Sequence, residues 1–177
     1  MSKYKNVVLT KTGQDLLLRT QTGECDLEFT RVAAGDGTNE NEEELSDRLP
    51  MLAEKQSFAI SSFSKEGDKL LIRFIASNSP TEGGTALQTG YHMREIGIFA
   101  REKGGENEVL YGISLAEEPV YMPPYNEASP ITATFSIYIY IGGCENVTLR
   151  ADPTAYVSVK DIHILTEQEI DALWDKY

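Results

Sequence analysis

The chain has few of the residues that most often carry out chemistry in proteins. Its 177 residues include two cysteines, two histidines and one tryptophan. Neither His92 nor His163 stands in a metal-ligand spacing with a cysteine or with the other histidine. No nucleophile-elbow, phosphate-loop or dinucleotide-binding motif occurs. We therefore expect no catalytic residue, no metal ligand and no cofactor-binding residue.

Positive charge and long apolar runs are also scarce. The 16 Lys and Arg are outnumbered by 28 Asp and Glu, which gives a net charge of −12. Such a surface repels the phosphates of nucleic acids and of anionic membranes. No apolar run approaches the roughly 20 residues that a membrane helix needs, and the N-terminus lacks a signal-peptide pattern. We expect no nucleic-acid binding, no membrane insertion and synthesis in a cytoplasm.

Alternation of apolar and polar residues is what the sequence has in abundance. It is clearest from Ile131 to Ile141, where every second residue is apolar and the residues between are Thr, Ser or Tyr. A period of two predicts a half-buried antiparallel strand. Weaker patterns predict strands at 25–33, 57–64, 69–76, 91–101 and 109–115, a helical turn at 45–52 and irregular chain at 117–130.

Two segments have the signals of helices. Thr12 and Asp15 form a predicted capping box ahead of three leucines, and Gly23 suits a left-handed helix end. A second capping box, 166–169, precedes an apolar stripe at helical spacing. The predicted fold is α+β and mainly β, with antiparallel sheets or a sandwich, a short N-terminal helix and a C-terminal helix. The stripe consists of Ile170, Leu173, Trp174 and Tyr177.

We predict two regions, one at 1–150 and one at 151–177. The second holds a strand and the amphipathic C-terminal helix, and we expect it to serve in oligomerisation or docking. Its stripe either folds back onto the first region or packs against copies of itself. Tyr138 and Tyr140, opposite the core face of their strand, are either ordinary exposed aromatics or part of an assembly surface.

Two charged features allow more than one interpretation. The acidic stretch from Asp36 to Glu44 offers many oxygen donors, but it lacks the alternating acids and central glycine of a calcium loop, so a solvated loop is favoured. Arg94 and Glu95 interrupt an apolar strand. Three interpretations fit: the two residues lie on a solvent-exposed face, they form a buried pair that fixes the strand register, or they contact a partner protein directly.

Five short segments follow one another in an order typical of one protein family. The one that contains Arg94, Glu95 and Gly97 is the most recognisable. In this order the segments resemble the N-terminal, baseplate-attaching region of tail fibres in the phage tail-collar fibre family. The segments are 9–17, Phe29–Gly37, Tyr91–Ala100, Val109–Gly112 and Tyr121–Pro124.

The resemblance implies a function and a location. It implies a non-enzymatic tail protein of a phage or prophage, made in the bacterial cytoplasm and placed in the virion tail. It also implies baseplate and tail-fibre proteins as partners, and a homo-oligomer, commonly a trimer in this family. The positions it marks as structural are Gly35, Asp36, Gly37, Arg94, Glu95 and Gly97.

Two other functions fit the sequence. A carbohydrate-binding module for host-surface recognition would use exposed aromatics such as Tyr121, Tyr125, Tyr138 and Tyr140. A small glycan hydrolase would need two carboxylates in one cleft, and nothing in the sequence selects two of its many acids.

Overall fold

Two β-sheets that share one hydrophobic core form the body of the protein. The computed structural model describes residues 4–38, 42–48, 50–80 and 85–150. The predicted mainly β fold with an N-terminal helix is confirmed. The elements in chain order are β1 (Val8–Leu9), α1 (Lys11–Gln21), β2 (Leu27–Gly35), a 3-10 helix (Glu42–Asp47), β3 (Glu54–Phe58), β4 (Ile60–Glu66), β5 (Lys69–Ser77), β6 (Tyr91–Glu102), β7 (Val109–Met122), β8 (Thr132–Tyr140) and β9 (Val147–Leu149).

Within the described ranges the larger sheet has six strands and the smaller sheet has three. Strand order in the larger sheet is β1-β7-β6-β2-β3, and β9 pairs in parallel with β2 on the edge that β3 leaves open. The smaller sheet has the order β4-β5-β8 and is antiparallel throughout. Because of β9 the larger sheet is mixed, whereas the sequence predicted antiparallel pairing.

Aromatic rings fill the space between the two sheets. In the larger sheet, Phe29 and Tyr111 meet edge to face with ring centroids 5.1 Å apart. In the smaller sheet, Phe74 and Phe135 stack at 5.3 Å. All four side chains belong to one buried cluster, so burial of their apolar area stabilises both sheets together.

Strand β8 has the clearest predicted alternation, and the structure confirms it. Phe135, Ile137 and Ile139 are buried, while Ser136 and Tyr138 between them are exposed. One face of β8 packs on the core and the other faces outward, which is the arrangement that a period of two requires.

The predicted strand at 57–64 is wrong as a single element. It is divided at Ala59 between β3, in the larger sheet, and β4, in the smaller sheet. The chain therefore crosses from one sheet to the other at this point. Only β4 forms the predicted hairpin with β5, through a turn in which Gly67 has a φ of 63°.

The prediction of irregular chain at 117–130 is also partly wrong. Strand β7 continues to Met122, and its last residues pair with Tyr91, His92 and Met93 of β6. Pro119 lies where the register between β6 and β7 is irregular, between the pairs Glu95–Leu115 and Met93–Val120, and a bulge tolerates proline. The helical turn expected at 45–52 is the 3-10 helix, which lies earlier in the chain.

Helix α1 begins two residues before the predicted start. Its N-cap is Thr10, whose hydroxyl oxygen accepts a hydrogen bond from the Gly13 N–H at 3.0 Å. Thr10 is selected over Thr12 by a tertiary contact, since the Thr10 N–H also donates to the Tyr111 carbonyl of β7. The predicted end of the helix is confirmed, because Gly23 has a φ of 79°.

The strand and the C-terminal helix predicted for 151–177 lie outside the described residues, so they remain predictions. None of the helices in the described ranges has the length and apolar character to cross a membrane.

Gly13 allows the backbone of α1 to touch the backbone of β7. A Cβ on Gly13 would overlap the carbonyl group of Tyr111. We predict that Gly13→Ala lowers the free energy of unfolding by about 1 to 3 kcal/mol, because backbone must move to relieve the overlap. Urea denaturation followed by circular dichroism measures this. The control Asp15→Ala, exposed on the same helix, should change it by less than about 0.5 kcal/mol. Equal effects would contradict the prediction.

Candidate functional site

Six residues from two distant parts of the sequence meet at one end of the β2–β6 pair. Gly35, Asp36 and Gly37 lie at and just after the end of β2, and Arg94, Glu95 and Gly97 lie on β6. The antiparallel register places Gly35 opposite Glu95, and Ala33 opposite Gly97. We call these six residues the motif cluster. They are the six positions that the family resemblance marked as structural, and the structure brings them together.

The three glycines of the motif cluster make room for one short segment, Met51–Ala53. A Cβ on Gly35 would lie 2.6 Å from the Ala53 carbonyl oxygen, and one on Gly37 would lie 2.6 Å from the Cβ of Leu52. A Cβ on Gly97 would lie 2.6 Å from the sulfur of Met51. Real Cβ atoms do not approach other atoms so closely. A side chain at Gly35 or Gly37 would therefore displace the segment or the Glu95 carboxylate, and one at Gly97 would displace the end of the Met51 side chain.

Glu95 holds the same segment by a hydrogen bond. Its side chain is fully buried, and its Oε1 accepts from the Ala53 N–H at 2.9 Å. The Ala53 carbonyl in turn accepts from the Asp36 N–H at 3.0 Å. No hydrogen-bond partner reaches the Oε2 of Glu95 from the described part of the chain. Burial of a polar group costs free energy unless the group is hydrogen-bonded. The bond from the Ala53 N–H is the main polar interaction of this carboxylate.

Arg94 points the other way from Glu95, as neighbouring residues on a strand do. Its Nε lies 2.7 Å from Oδ1 of Asp36, and both side chains are partly exposed. The interpretation of Arg94 and Glu95 as a pair is therefore wrong. Arg94 lies on a wet face beside Asp36, whereas Glu95 is buried against a backbone amide.

Comparison with models of known protein families identifies the family of this chain. The family model for the N-terminal part of phage tail-collar fibre proteins matches residues 1–161. The chain belongs to this family. No curated protein and no solved structure matches it. The resemblance found in the sequence is confirmed, and the chain is a phage tail fibre protein and a component of the virion tail.

The tail fibre protein has a second candidate site, formed by tyrosines on the outer face of the smaller sheet. Tyr138 and Tyr140 of β8 are 50% and 46% exposed. The Tyr138 hydroxyl donates to Oε2 of Glu66 at 3.1 Å, and this hydrogen bond raises the pKa of the hydroxyl. The Tyr140 carbonyl accepts from the hydroxyl of Tyr111 at 2.9 Å. Burial raises the pKa of the Tyr111 hydroxyl.

The four tyrosines proposed for sugar binding do not share one sheet. Tyr121 lies on β7 of the larger sheet, where its ring is 5.0 Å from that of His92. Tyr125 follows β7 and lines an open surface pocket with Pro123 and Pro124. Ile170, Leu173, Trp174 and Tyr177 lie outside the described residues, and their role as an interface stays a prediction.

The segment Met51–Ala53, which the motif cluster contacts, was not predicted from the sequence. Met51 packs in a small buried cluster with Ala33, Phe99 and Leu110, and Ala53 supplies both backbone hydrogen bonds. Neither residue belongs to a periodic pattern or to one of the family segments. Gly97, two residues after Glu95 in an otherwise bulky strand, was the one signal that something packs closely there.

We predict that the two charged residues of the motif cluster differ strongly in their effect on stability. Glu95→Ala should lower the free energy of unfolding by about 2 to 3 kcal/mol, because it leaves the Ala53 N–H without an acceptor and opens a cavity. Arg94→Ala, the matched control on the adjacent position, should lower it by less than about 1 kcal/mol, since its ion pair is partly exposed. Chemical denaturation of both variants tests this, and similar losses would contradict it.

Proposed function

We propose that the protein is a non-enzymatic structural component that attaches a tail fibre to the baseplate. The proposal rests on one observation, which is that the motif cluster serves to fix the fold. Its three glycines accommodate Met51–Ala53, and its buried carboxylate binds the backbone of that segment. Since Glu95 has no exposed surface, it cannot touch a substrate in this state. The most characteristic residues of the family are thus engaged in shaping the protein.

A rigid shape suits a protein that joins two other components. The two sheets share one aromatic core, and the motif cluster adds a fixed connection from β2 and β6 to the loop before β3. Leu52 lies in that loop, and 46% of its surface is exposed. Its neighbours Met51 and Ala53 are fixed by their contacts with the motif cluster. The loop therefore offers an apolar contact in a defined position, which lowers the entropy cost of binding a partner.

Attachment is tested in phage particles. We predict that deletion of the gene yields tails whose baseplates lack fibres, and that a tag on the chain is seen at the baseplate by immuno-electron microscopy. Complementation with the unchanged gene is the control. Particles that assemble fibres normally without the protein would overturn the attachment proposal. Turnover of a bacterial cell-wall or capsule polysaccharide by the purified chain would overturn the non-enzymatic part alone.

Sugar binding is a second candidate, and the exposure of Tyr138 and Tyr140 favours it. The two rings project from the same face of one strand, two residues apart. Binding to a defined host polysaccharide that is lost in Tyr140→Ala would support this function. A glycan array without binding, together with fibreless particles from the deletion, would favour the attachment protein.

A further inference from the structure

The two cysteines, which are far apart in the sequence, precede two strands that pair with each other. Cys25 comes two residues before Leu27, where β2 begins, and Cys144 comes three residues before Val147, where β9 begins. The two strands run parallel, and their register places Leu27 beside Val147. The Leu27 N–H donates to the Asn146 carbonyl at 2.9 Å, so the two segments are already adjacent one residue earlier. Both cysteines therefore lead into the larger sheet from the same end.

The last residues of α1 contact the chain at or next to each cysteine. The hydroxyl oxygen of Thr20 lies 3.7 Å from the sulfur of Cys25. The following residue, Gln21, reaches the turn before Cys144, where its side-chain amide donates to the Gly142 carbonyl at 3.5 Å. Both cysteines are partly buried and pack against the same apolar cluster. The two thiols thus lie at one corner of the core, beside the end of one helix.

The spacing of the two segments is compatible with a disulfide. Neighbouring strands lie about 4.8 Å apart, and the Cα atoms of a disulfide lie about 4.4 to 6.8 Å apart. The two thiols are unbonded in the structure, so a bond between them requires a movement of the chain. The turn before Cys144 permits it. Gly142 and Gly143 have φ values of 58° and 73°, and a Cβ on Gly143 would meet no atom within 4 Å.

A component of the virion tail passes through two redox environments. Virion proteins are made inside the host cell, where the cytoplasm keeps thiols reduced, and released particles enter an oxidising medium. Unbonded thiols are the state that the first environment maintains. In the second environment, two thiols held at one corner of a core can react with each other faster than with thiols of other molecules.

We propose that Cys25 and Cys144 form a disulfide after the particle leaves the host cell, with a soluble low-molecular-weight disulfide as the oxidant. The thiolate of one cysteine attacks the oxidant, which forms a mixed disulfide and releases one small thiol. The thiolate of the other cysteine then attacks the protein sulfur of the mixed disulfide and releases the second small thiol. The two cysteines lose two protons and two electrons, and the oxidant gains them. The proposal uses membership of the virion tail and does not rest on the attachment function.

The bond would enclose every strand from β2 to β8 in one covalent ring. A disulfide stabilises mainly by restricting the unfolded chain, and the restriction grows with the size of the ring. The bond would also fasten β9, which has three residues and pairs only with β2 among the described strands. If the cysteines serve only as small packing residues, oxidation produces no bond between them.

The first test oxidises the purified full chain with oxidised glutathione. We predict that free thiols fall from two per chain to none, that the intact mass drops by two hydrogens, and that peptide mapping joins Cys25 to Cys144. The controls Cys25→Ser and Cys144→Ser should each retain one bound glutathione, because the mixed disulfide has no second thiol to resolve it. Glutathione retained on both cysteines of the unchanged chain, unreacted thiols, or bonds between chains would overturn the proposal.

The second test measures stability. The oxidised chain should unfold at a temperature about 5 °C or more above that of the reduced chain. Circular dichroism during heating measures this, and the double variant with Cys25→Ser and Cys144→Ser should unfold at one temperature with and without oxidant. An oxidised chain that unfolds at the same or a lower temperature would mean that the bond strains the folded protein, which contradicts the proposal.

The third test follows the thiols in the phage. Alkylation in denaturant should modify both cysteines of chains taken from unlysed cells. In released particles both cysteines should escape alkylation until a reductant is added. Released particles whose two cysteines are alkylated without a reductant would overturn the proposal, because the bond would then be absent where the protein works.

Discussion

A single hydrogen bond, from the Ala53 N–H to the buried carboxylate of Glu95, organises the end of the larger sheet. The bond can form only because Gly35 and Gly37 leave space around the carboxylate, and because Gly97 admits Met51 beside it. Each part requires the others. The carboxylate needs a donor, since an unpaired buried oxygen is costly, and the segment needs the glycines, since its backbone lies against theirs. Gly35, Asp36, Gly37, Glu95 and Gly97 of the motif cluster together make this contact.

Strand β8 has a buried side and an outward-facing side. Its apolar residues pack into the aromatic core that both sheets share, whereas its Thr, Ser and Tyr side chains and half of its backbone groups face outward. One edge of β8 pairs with β5, and among the described residues no strand pairs with its other edge.

Local patterns predicted those elements that depend on local causes. The alternation of β8, the β4–β5 hairpin turn and the glycine end of α1 follow from side-chain period and backbone conformation. The division of 57–64 between two sheets did not follow, because strand-like residues on both sides of Ala59 say nothing about which sheet receives each half. The helix start also escaped local reasoning, since Thr10 and Thr12 are equivalent caps until β7 bonds to Thr10.

By itself the sequence determined the fold class, the N-terminal helix, the core face of β8 and membership of the tail-collar fibre family, because each is encoded in the order and type of neighbouring residues. Only the tertiary structure decided that Arg94 and Glu95 have different partners, that three glycines accommodate Met51–Ala53, and that β8 lies at an edge. These facts depend on which strands become neighbours, and that choice is made by the packing of two sheets around one core rather than by any single segment.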